Sequence, residues 1–183
     1  MTKIVGLAGS LRRRSFNKSL LRAAEKLMPQ GASLEIHEIA GIPLYNADEE
    51  AEAGIPLQAT EIKNAIAEAD GLLLSTPEYN NGIPGVFKNA IDWLSRPPDD
   101  IARVFGGKPV AIIGASPGGF GTIMAQDAWL SVLRTLGTAP WFSGRLLVSK
   151  AGDLFDDEGK LVDEVSKKRL ADFLAGFVDW IGN

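Results

Sequence analysis

The stretch GLAGSLRRRSFNKSLL (6–21) decides the fold because it joins a buried strand to a helix through a short polar loop. The overlapping run KIVGLAG (3–9) is continuously apolar and ends in small residues, which is typical of a strand covered on both faces of a parallel sheet. Apolar residues then recur at helical spacing until PQG (29–31), and Ser15 and Asn17 are both suitable caps for that helix. The stretch therefore predicts strand, loop and helix in α/β order.

The same alternation continues along the chain. Further strands are expected at SLEIHEIA (33–40), GLLLST (71–76), KPVAIIGAS (108–116) and within WFSGRLLVSK (141–150). The apolar spacing also predicts helices around 62–69 and over 86–94, 123–136 and 165–181. Strands alternating with helices predict an α/β three-layer sandwich, in which a five-stranded parallel sheet takes the flavodoxin-like order 2-1-3-4-5. With no linker or repeat, residues 1–183 are expected to form one domain, and 41–57 to be its longest irregular stretch.

Composition excludes several classes of protein. The net charge of −4 argues against general nucleic-acid binding, and the absence of cysteine excludes disulfides and cysteine-ligated metal sites. No apolar run approaches the roughly 18 residues that a membrane helix needs, and the first residues become polar too soon for a signal peptide. We therefore expect a cytoplasmic protein without nucleic-acid or membrane partners.

The first loop, SLRRRSFN (10–17), is suited to an anion. Free backbone N–H groups and the dipole of the following helix favour negative charge there. Ser10 and Ser15 can donate hydroxyl hydrogen bonds, and Arg12 can pair with two phosphate oxygens at once. The loop lacks both G-x-G-x-x-G and the Gly-Lys-Ser/Thr of a Walker loop, so a monophosphate fits it better than a pyrophosphate. A solvated arginine run is the alternative interpretation.

Two further loops follow strands 3 and 4. STPEYNNGIPG (75–85) offers Tyr79 for stacking on a flat ring, and the glycines of ASPGGFGT (115–122) allow close backbone approach. Either loop alone can be a plain turn. In the predicted order, however, strands 1, 3 and 4 are neighbours, and ligands of such sheets bind at the crevice between strands 1 and 3. A phosphate joined to a flat heteroaromatic ring, as in flavin mononucleotide (FMN), suits all three loops.

GSLRRRSFN (9–17) together with TPEYNNGIPGVFKNAIDWLS (76–95) resembles the NAD(P)H-dependent FMN reductases of flavodoxin-like fold, which include quinone, chromate and azo-compound reductases. The resemblance spans nearly the whole chain. It implies that hydride passes from NADPH or NADH to bound FMN, and that electrons then pass to a quinone, chromate, azo compound or similar small-molecule acceptor. It also implies a homodimer or homotetramer. Close relatives often carry Gly where Arg14 stands.

The resemblance also implies which residues bind FMN. Those expected at the phosphate and ribityl end are Ser10, Arg12, Ser15, Phe16 and Asn17. Those expected along the isoalloxazine ring are Pro77, Glu78, Tyr79 and Asn80, with Ser116 and Gly118 at its pyrimidine edge. The chemistry needs no catalytic triad, and neither a catalytic side chain nor a metal site is expected.

Two alternatives remain open at the level of sequence. One is a flavodoxin-type one-electron carrier, which would be expected to show strongly acidic faces rather than an arginine-rich loop; the other is a flavin-free protein that binds a phosphorylated metabolite. The only histidine, His37, is expected in strand 2 without a catalytic role, and the acidic run DLFDDEG (153–159) is expected to be a solvated turn. Trp93 and Trp129 indicate either ordinary packing or a partner face.

Overall fold

Six parallel strands form the central sheet of the computed structural model, which describes residues 1–183. They are β1 (Thr2–Ala8), β2 (Ala32–His37), β3 (Gly71–Ser75), β4 (Pro109–Ala115), β5 (Ala139–Pro140) and β6 (Leu146–Val148). The order is β2-β1-β3-β4-β5, and β6 also pairs with β4. The predicted order 2-1-3-4-5 is therefore confirmed; β6 lies within the range 141–150 predicted for the fifth strand, whereas β5 precedes that range and was not predicted.

Helices cover both faces of this sheet. They are α1 (Phe16–Lys26), α2 (Ala47–Ala53), α3 (Leu57–Glu68), α4 (Gly85–Leu94), α5 (Ile101–Val104), α6 (Ile123–Thr135) and α7 (Glu164–Ile181). One apolar core joins the sheet to α1 and α7, and a second joins it to α3, α4 and α6, which confirms the three-layer sandwich. None of the helices combines the length and the hydropathy that crossing a membrane would require.

The stretch 41–57 is not irregular throughout, because it contains α2. No residue of this acidic helix is buried, so it has no apolar stripe from which the sequence could predict it. Its N-terminus is capped by the side chain of Asn46, which accepts from the Asp48 N–H at 3.0 Å. Arg96 Nε donates to both carboxylate oxygens of Glu50, at 3.0 and 2.7 Å, and this pairing lowers the pKa of Glu50. Caps and ion pairs, rather than burial, hold the segment in place.

The gap between β5 and β6 has a steric cause at Trp141. The N–H of Trp141 donates to the Val110 carbonyl at 2.8 Å, while its ring packs edge-on against Phe173 with 5.0 Å between centroids. At Gly144 a Cβ would lie only 2.2 Å from that ring, so the chain passes under the indole before it pairs with β4 again at Leu146. Packing of the large ring therefore interrupts the ladder.

Trp93 and Trp129 both lie inside the chain's own core, at 1% and 0% exposure. Trp93 Nε1 donates to the Pro43 carbonyl at 2.9 Å, and Trp129 Nε1 donates to Thr76 Oγ1 at 3.0 Å. Burial with satisfied indole N–H groups is ordinary packing. The structure thus decides between the two interpretations in favour of packing.

Candidate cofactor site

The three predicted loops leave the sheet side by side, at the carboxyl ends of β1, β3 and β4. Ala8 pairs with Ser75, and Ser75 pairs with Ile113. The ladder continues one residue into the loops, since the Gly9 N–H donates to the Ser75 carbonyl at 3.0 Å and the Thr76 N–H donates to the Ile113 carbonyl at 2.9 Å. Backbone pairing therefore sets the spacing between the loops.

A buried amide, that of Asn17, ties the start of α1 to two of these strands. Its Nδ2 donates to the Ala115 carbonyl at 2.9 Å, and its Oδ1 accepts from the Ala115 N–H at 2.9 Å. The Ser75 hydroxyl lies 3.1 Å from the Asn17 carbonyl and 3.2 Å from Oδ1. Because the side chain is only 3% exposed and already bonded on both ends, its part in the site is to hold the helix terminus in position.

The N-terminus of α1 faces the first loop with free donors. Of the two candidate caps, Ser15 is the one used, because its Oγ accepts from the Lys18 N–H at 3.4 Å. The first intrahelical bond runs from the Ser19 N–H to the Ser15 carbonyl, so the N–H groups of Phe16 and Asn17 precede it. Such N–H groups, together with the helix dipole, form an anion-binding terminus.

Ser10 and Tyr79 connect the first loop to the second. The two hydroxyl oxygens lie 3.3 Å apart, and Ser10 Oγ also accepts from the Arg12 N–H at 3.3 Å. Ser10 is buried, whereas Tyr79 keeps 49% of its surface exposed. The contact therefore holds a partly exposed aromatic ring beside the helix terminus.

Glu78 connects the second loop to the third. Its Oε2 accepts from the N–H groups of Met124 and Ala125 at 2.8 and 3.0 Å, at the start of α6. The N-cap of α6 is Thr122, which takes a left-handed backbone (φ 70°) and makes no side-chain cap bond of its own. Glu78 supplies the missing cap from across the crevice, as a carboxylate favourably placed against the helix dipole.

The third loop also packs against a segment that sequence reasoning missed. The Ser116 N–H donates to the Val148 carbonyl at 2.9 Å, and the Ala151 N–H donates to the Ser116 carbonyl at 3.0 Å. Farther along, the Gly118 carbonyl accepts from the Lys150 N–H at 2.9 Å. Lys150 has a positive φ of 51°, which is rare outside glycine and carries no simple sequence signal. Residues 148–151 thus support Ser116 and Gly118 from outside.

Comparison with known proteins identifies the family of this chain. The family model described as NADPH-dependent FMN reductase matches residues 2–153, which include all three loops. The chain belongs to the NADPH-dependent FMN reductase family. The resemblance inferred from the loop sequences is therefore confirmed, and FMN and NAD(P)H are the cofactor and the co-substrate of this oxidoreductase.

Relatives of this FMN reductase cover nearly its whole length. An NAD(P)H-dependent FMN reductase of Pseudomonas aeruginosa is 42% identical over 179 residues, which are 98% of this chain and 95% of the relative. A 2-hydroxy-1,4-benzoquinone reductase of a Burkholderia species is 41% identical over 179 residues, 98% of this chain and 96% of the relative. Among solved structures, the flavoenzyme NAD(P)H:(acceptor) oxidoreductase of Paracoccus denitrificans superposes with a TM-score of 0.87 at 34% identity, covering 100% of this chain and 98% of that one.

The arginines of the reductase's first loop differ in their partners. Arg14 Nη2 donates to the Asp157 carbonyl at 2.9 Å and to its carboxylate at 3.2 Å, so this side chain reaches the acidic turn after β6. The Arg12 guanidinium makes no ion pair, and it lies 5.9 Å from the centroid of the Phe16 ring. Arg12 and Arg13 are therefore both free of ion pairs, and Arg12 lies beside the Phe16 ring at the N-terminus of α1.

The second loop of the reductase reverses direction at Asn80 and Asn81, which have positive φ values of 51° and 60°. The N–H of Tyr79 donates to the Gly82 carbonyl at 3.2 Å, and the Gly82 N–H donates back at 3.1 Å. Two left-handed residues between such a pair form a tight hairpin turn, for which asparagine is a favoured residue. The turn places Pro77 in the interior and presents Tyr79 and Asn80 at the surface.

One glycine that the sequence did not single out lets the second and third loops meet. A Cβ on Gly114 would lie 1.9 Å from Thr122 Oγ1 and 2.5 Å from the Thr76 carbonyl oxygen. Those distances leave no room for any side chain, so only glycine allows the loops this close approach. The signal available in the sequence was the run of small residues that ends strand 4.

Replacing Glu78 with alanine is expected to lower the free energy of unfolding by about 1 kcal/mol, because α6 loses its only side-chain cap. Glu78→Gln keeps an acceptor oxygen without the charge, so we expect about half of that loss. Urea unfolding of the FMN-free protein measures both. Glu61→Ala, at an exposed site on α3, is the matched control; an equal change in both alanine variants would contradict the capping role.

Two other sequence features, His37 and the acidic run 153–159, are explained by local hydrogen bonds. His37 ends β2, where its Nε2 lies 2.8 Å from a Glu35 carboxylate oxygen. In the acidic run, Asp156 Oδ1 accepts from the N–H groups of Glu158 and Lys160 at 3.0 and 2.8 Å. These bonds form a side-chain-stabilised turn, as expected for that segment.

Proposed function

We propose that this reductase binds FMN across the three loops and transfers electrons from NAD(P)H to a quinone. The observation that supports this proposal most is that groups suited to a phosphate and to a flat ring lie together at one edge of the sheet. An anion-binding helix terminus with an unpaired arginine lies next to a half-exposed tyrosine, and Ser10 joins the two. The two apolar cores share one sheet, which supports treating residues 1–183 as a single FMN-binding domain.

For the phosphate and ribityl end we propose side-chain donors from Ser10, Arg12 and Ser15. The Phe16 and Asn17 backbone N–H groups precede the first helical hydrogen bond and would donate to the same oxygens. The Asn17 side chain would act indirectly, since β3 and β4 already occupy it. Several N–H and O–H donors with one guanidinium match the charge and the acceptor-rich surface of a phosphate monoester.

For the ring end we propose the second and third loops. Tyr79 and Asn80 would line the isoalloxazine at the exposed hairpin, while Pro77 and Glu78 would hold that hairpin in place. Ser116 and Gly118 would approach the pyrimidine edge, where a Cβ on Gly118 would meet no atom within 4 Å. Bound FMN supplies the redox chemistry, accepting hydride from NAD(P)H and passing electrons to the second substrate; the protein binds and orients it.

Exposed apolar side chains around the crevice favour a flat organic acceptor. Leu11, Tyr79, Phe120 and Met124 come from the three loops and the start of α6, and they are 47%, 49%, 79% and 51% exposed. A quinone gains by covering such surface, whereas chromate is an oxyanion and does not. A second copy of the chain could also cover these exposed apolar side chains, which supports a homodimer or homotetramer. We further propose a cytoplasmic location, because NAD(P)H is available there.

The test is to saturate the purified protein with FMN and to add NADPH or NADH without oxygen. We expect the visible flavin absorbance to bleach, and to return when 1,4-benzoquinone is added. Chromate and an azo dye, tested in parallel, should restore it more slowly. Retention of FMN without bleaching would favour the one-electron carrier. A protein that stays colourless after incubation with FMN would favour the phosphorylated metabolite and contradict the proposal.

A further inference from the structure

A second basic groove, apart from the FMN site, lies between α1, residues 158–161 and α7. Its volume is about 310 Å³, and it shares no residue with the proposed FMN site. Ala23, Leu27 and Leu161 give it an apolar part. The groove therefore combines an apolar surface with the charged side chains described next.

Four cations surround this groove, which is unusual in a chain of net charge −4. The side chains of Arg22, Lys26 and Lys160 have no hydrogen-bond or ion-pair partner, whereas the Lys167 ammonium pairs with Glu164 at 2.5 Å. Glu158 is the only carboxylate in the lining. Unpaired cations of this kind attract an anion, although solvated cations by themselves do not make a site.

Ser19 provides independent evidence for a ligand. Its side chain lines the groove and the residue is only 6% exposed, yet its hydroxyl has no hydrogen-bond partner. Gly159 closes over it: a Cβ there would lie 2.7 Å from Ser19 Oγ, and the backbone has a positive φ of 79°. Ser19 lines both this groove and the cavity next to it, and a nearly buried donor in that position is satisfied best by an acceptor that enters the groove.

We propose that this groove binds a phosphate monoester with a compact apolar body. The phosphate would lie between Arg22, Lys160 and the Ser19 hydroxyl, and the body would cover Ala23 and Leu161. Phosphate suits the donors better than a carboxylate does, since three oxygens can each take a charged or hydroxyl partner. The inference does not depend on the proposed function.

The groove adjoins a cavity of about 350 Å³ that is lined by Arg12 and Phe16, and the two share Ser19, Arg22, Glu158 and Gly159. The ligand could therefore be a free monoester or the phosphate of the co-substrate. The two sources differ in one measurable respect. A free monoester binds independently of NADP⁺, whereas the co-substrate's phosphate would compete with it for the same donors.

The experiment is a titration of ¹⁵N-labelled, FMN-saturated protein with phenyl phosphate and with inorganic phosphate at constant ionic strength. We expect saturable shifts of the Gly159 and Lys160 amides, with phenyl phosphate binding several-fold more tightly because of its ring. Addition of NADP⁺ then separates the two sources. Shifts confined to the Phe16 and Asn17 amides would report the FMN phosphate site instead, and would overturn the proposal.

The same titration with substituted proteins tests which residues of the groove bind phenyl phosphate. Arg22→Gln and Lys160→Gln should each weaken phenyl phosphate about fivefold or more, and Ser19→Ala should weaken it about threefold. Arg169→Gln, an exposed cation of α7 outside the groove, is the matched control and should leave affinity unchanged. Equal losses in Arg169→Gln and Arg22→Gln would mean general electrostatic attraction, and non-saturating shifts in the unmodified protein would mean no site.

Discussion

Replacing Asn17 with alanine will lower the free energy of unfolding by about 3 kcal/mol, the largest effect we expect from any single substitution around the crevice. The change leaves the Ala115 N–H and carbonyl without their partner, and Ala115 is 2% exposed. It also removes one acceptor of the fully buried Ser75 hydroxyl. Each buried polar group left unpaired costs about 1–3 kcal/mol, and a shared network does not add up fully. Urea unfolding of the FMN-free protein measures the loss.

The control for this prediction is Glu25→Ala, at an exposed position of α1 without a side-chain partner, which should stay within about 0.5 kcal/mol of the unmodified protein. A double-mutant cycle with Ser75→Ala tests the network itself. Because Asn17 and Ser75 share hydrogen bonds, the double variant should lose less than the sum of the single losses. A loss below about 1 kcal/mol in Asn17→Ala would show that the amide does not hold the strands and helix together.

Replacing Arg12 with alanine will weaken FMN binding about tenfold to thirtyfold while leaving the stability of the FMN-free protein nearly unchanged. The side chain is exposed and makes no ion pair, so the folded protein loses little without it. The bound phosphate, however, would lose the guanidinium that lies beside Phe16 at the start of α1. Fluorescence titration of the FMN-free protein with FMN measures the affinity, and the difference should shrink at high salt.

Arg14→Ala is the matched control for Arg12, because it removes the same charge two residues away. The Arg14 guanidinium is already paired with Asp157 at 3.2 Å, so we expect Arg14→Ala to change FMN affinity by less than about threefold. Arg12→Lys should fall between the alanine variant and the unmodified protein, since an ammonium group keeps the charge but cannot pair with two oxygens. If Arg12→Ala and Arg14→Ala weaken FMN equally, the loop attracts phosphate only through its net charge.

Most of the fold was predictable because its signals are local. The apolar runs before Gly9, Thr76 and Ser116 predict strands buried on both faces, and the observed strands end one residue before each of these positions. Five helices follow from apolar spacing. The parallel order then brings the three loops to one edge without any knowledge of side-chain contacts. The proposed FMN site rests on these grounds, and its residues stay a prediction.

The sequence-based predictions missed elements whose formation depends on tertiary contacts rather than on the local hydrophobic pattern. α2 has no buried residue, so its helix depends on the Asn46 cap and on Arg96, which is distant in sequence. The short strand β5 was missed, and it is separated from β6 because the Trp141 ring needs space that only Gly144 leaves. Neither effect can be inferred from hydrophobic periodicity, which reports burial but not the partner of a charge or the volume of a ring.

The sequence by itself determined the α/β order, the parallel sheet and the edge at which the three loops meet, since each follows from short-range patterning. Only the tertiary structure decided what the individual side chains do there. Asn17 bonds a backbone group 98 residues away, and Glu78 caps a helix 46 residues away. Arg14 turns from the crevice to an aspartate 143 residues away. Hydrogen bonds and ion pairs form between neighbours in space, and residue type alone does not specify which neighbour is reached.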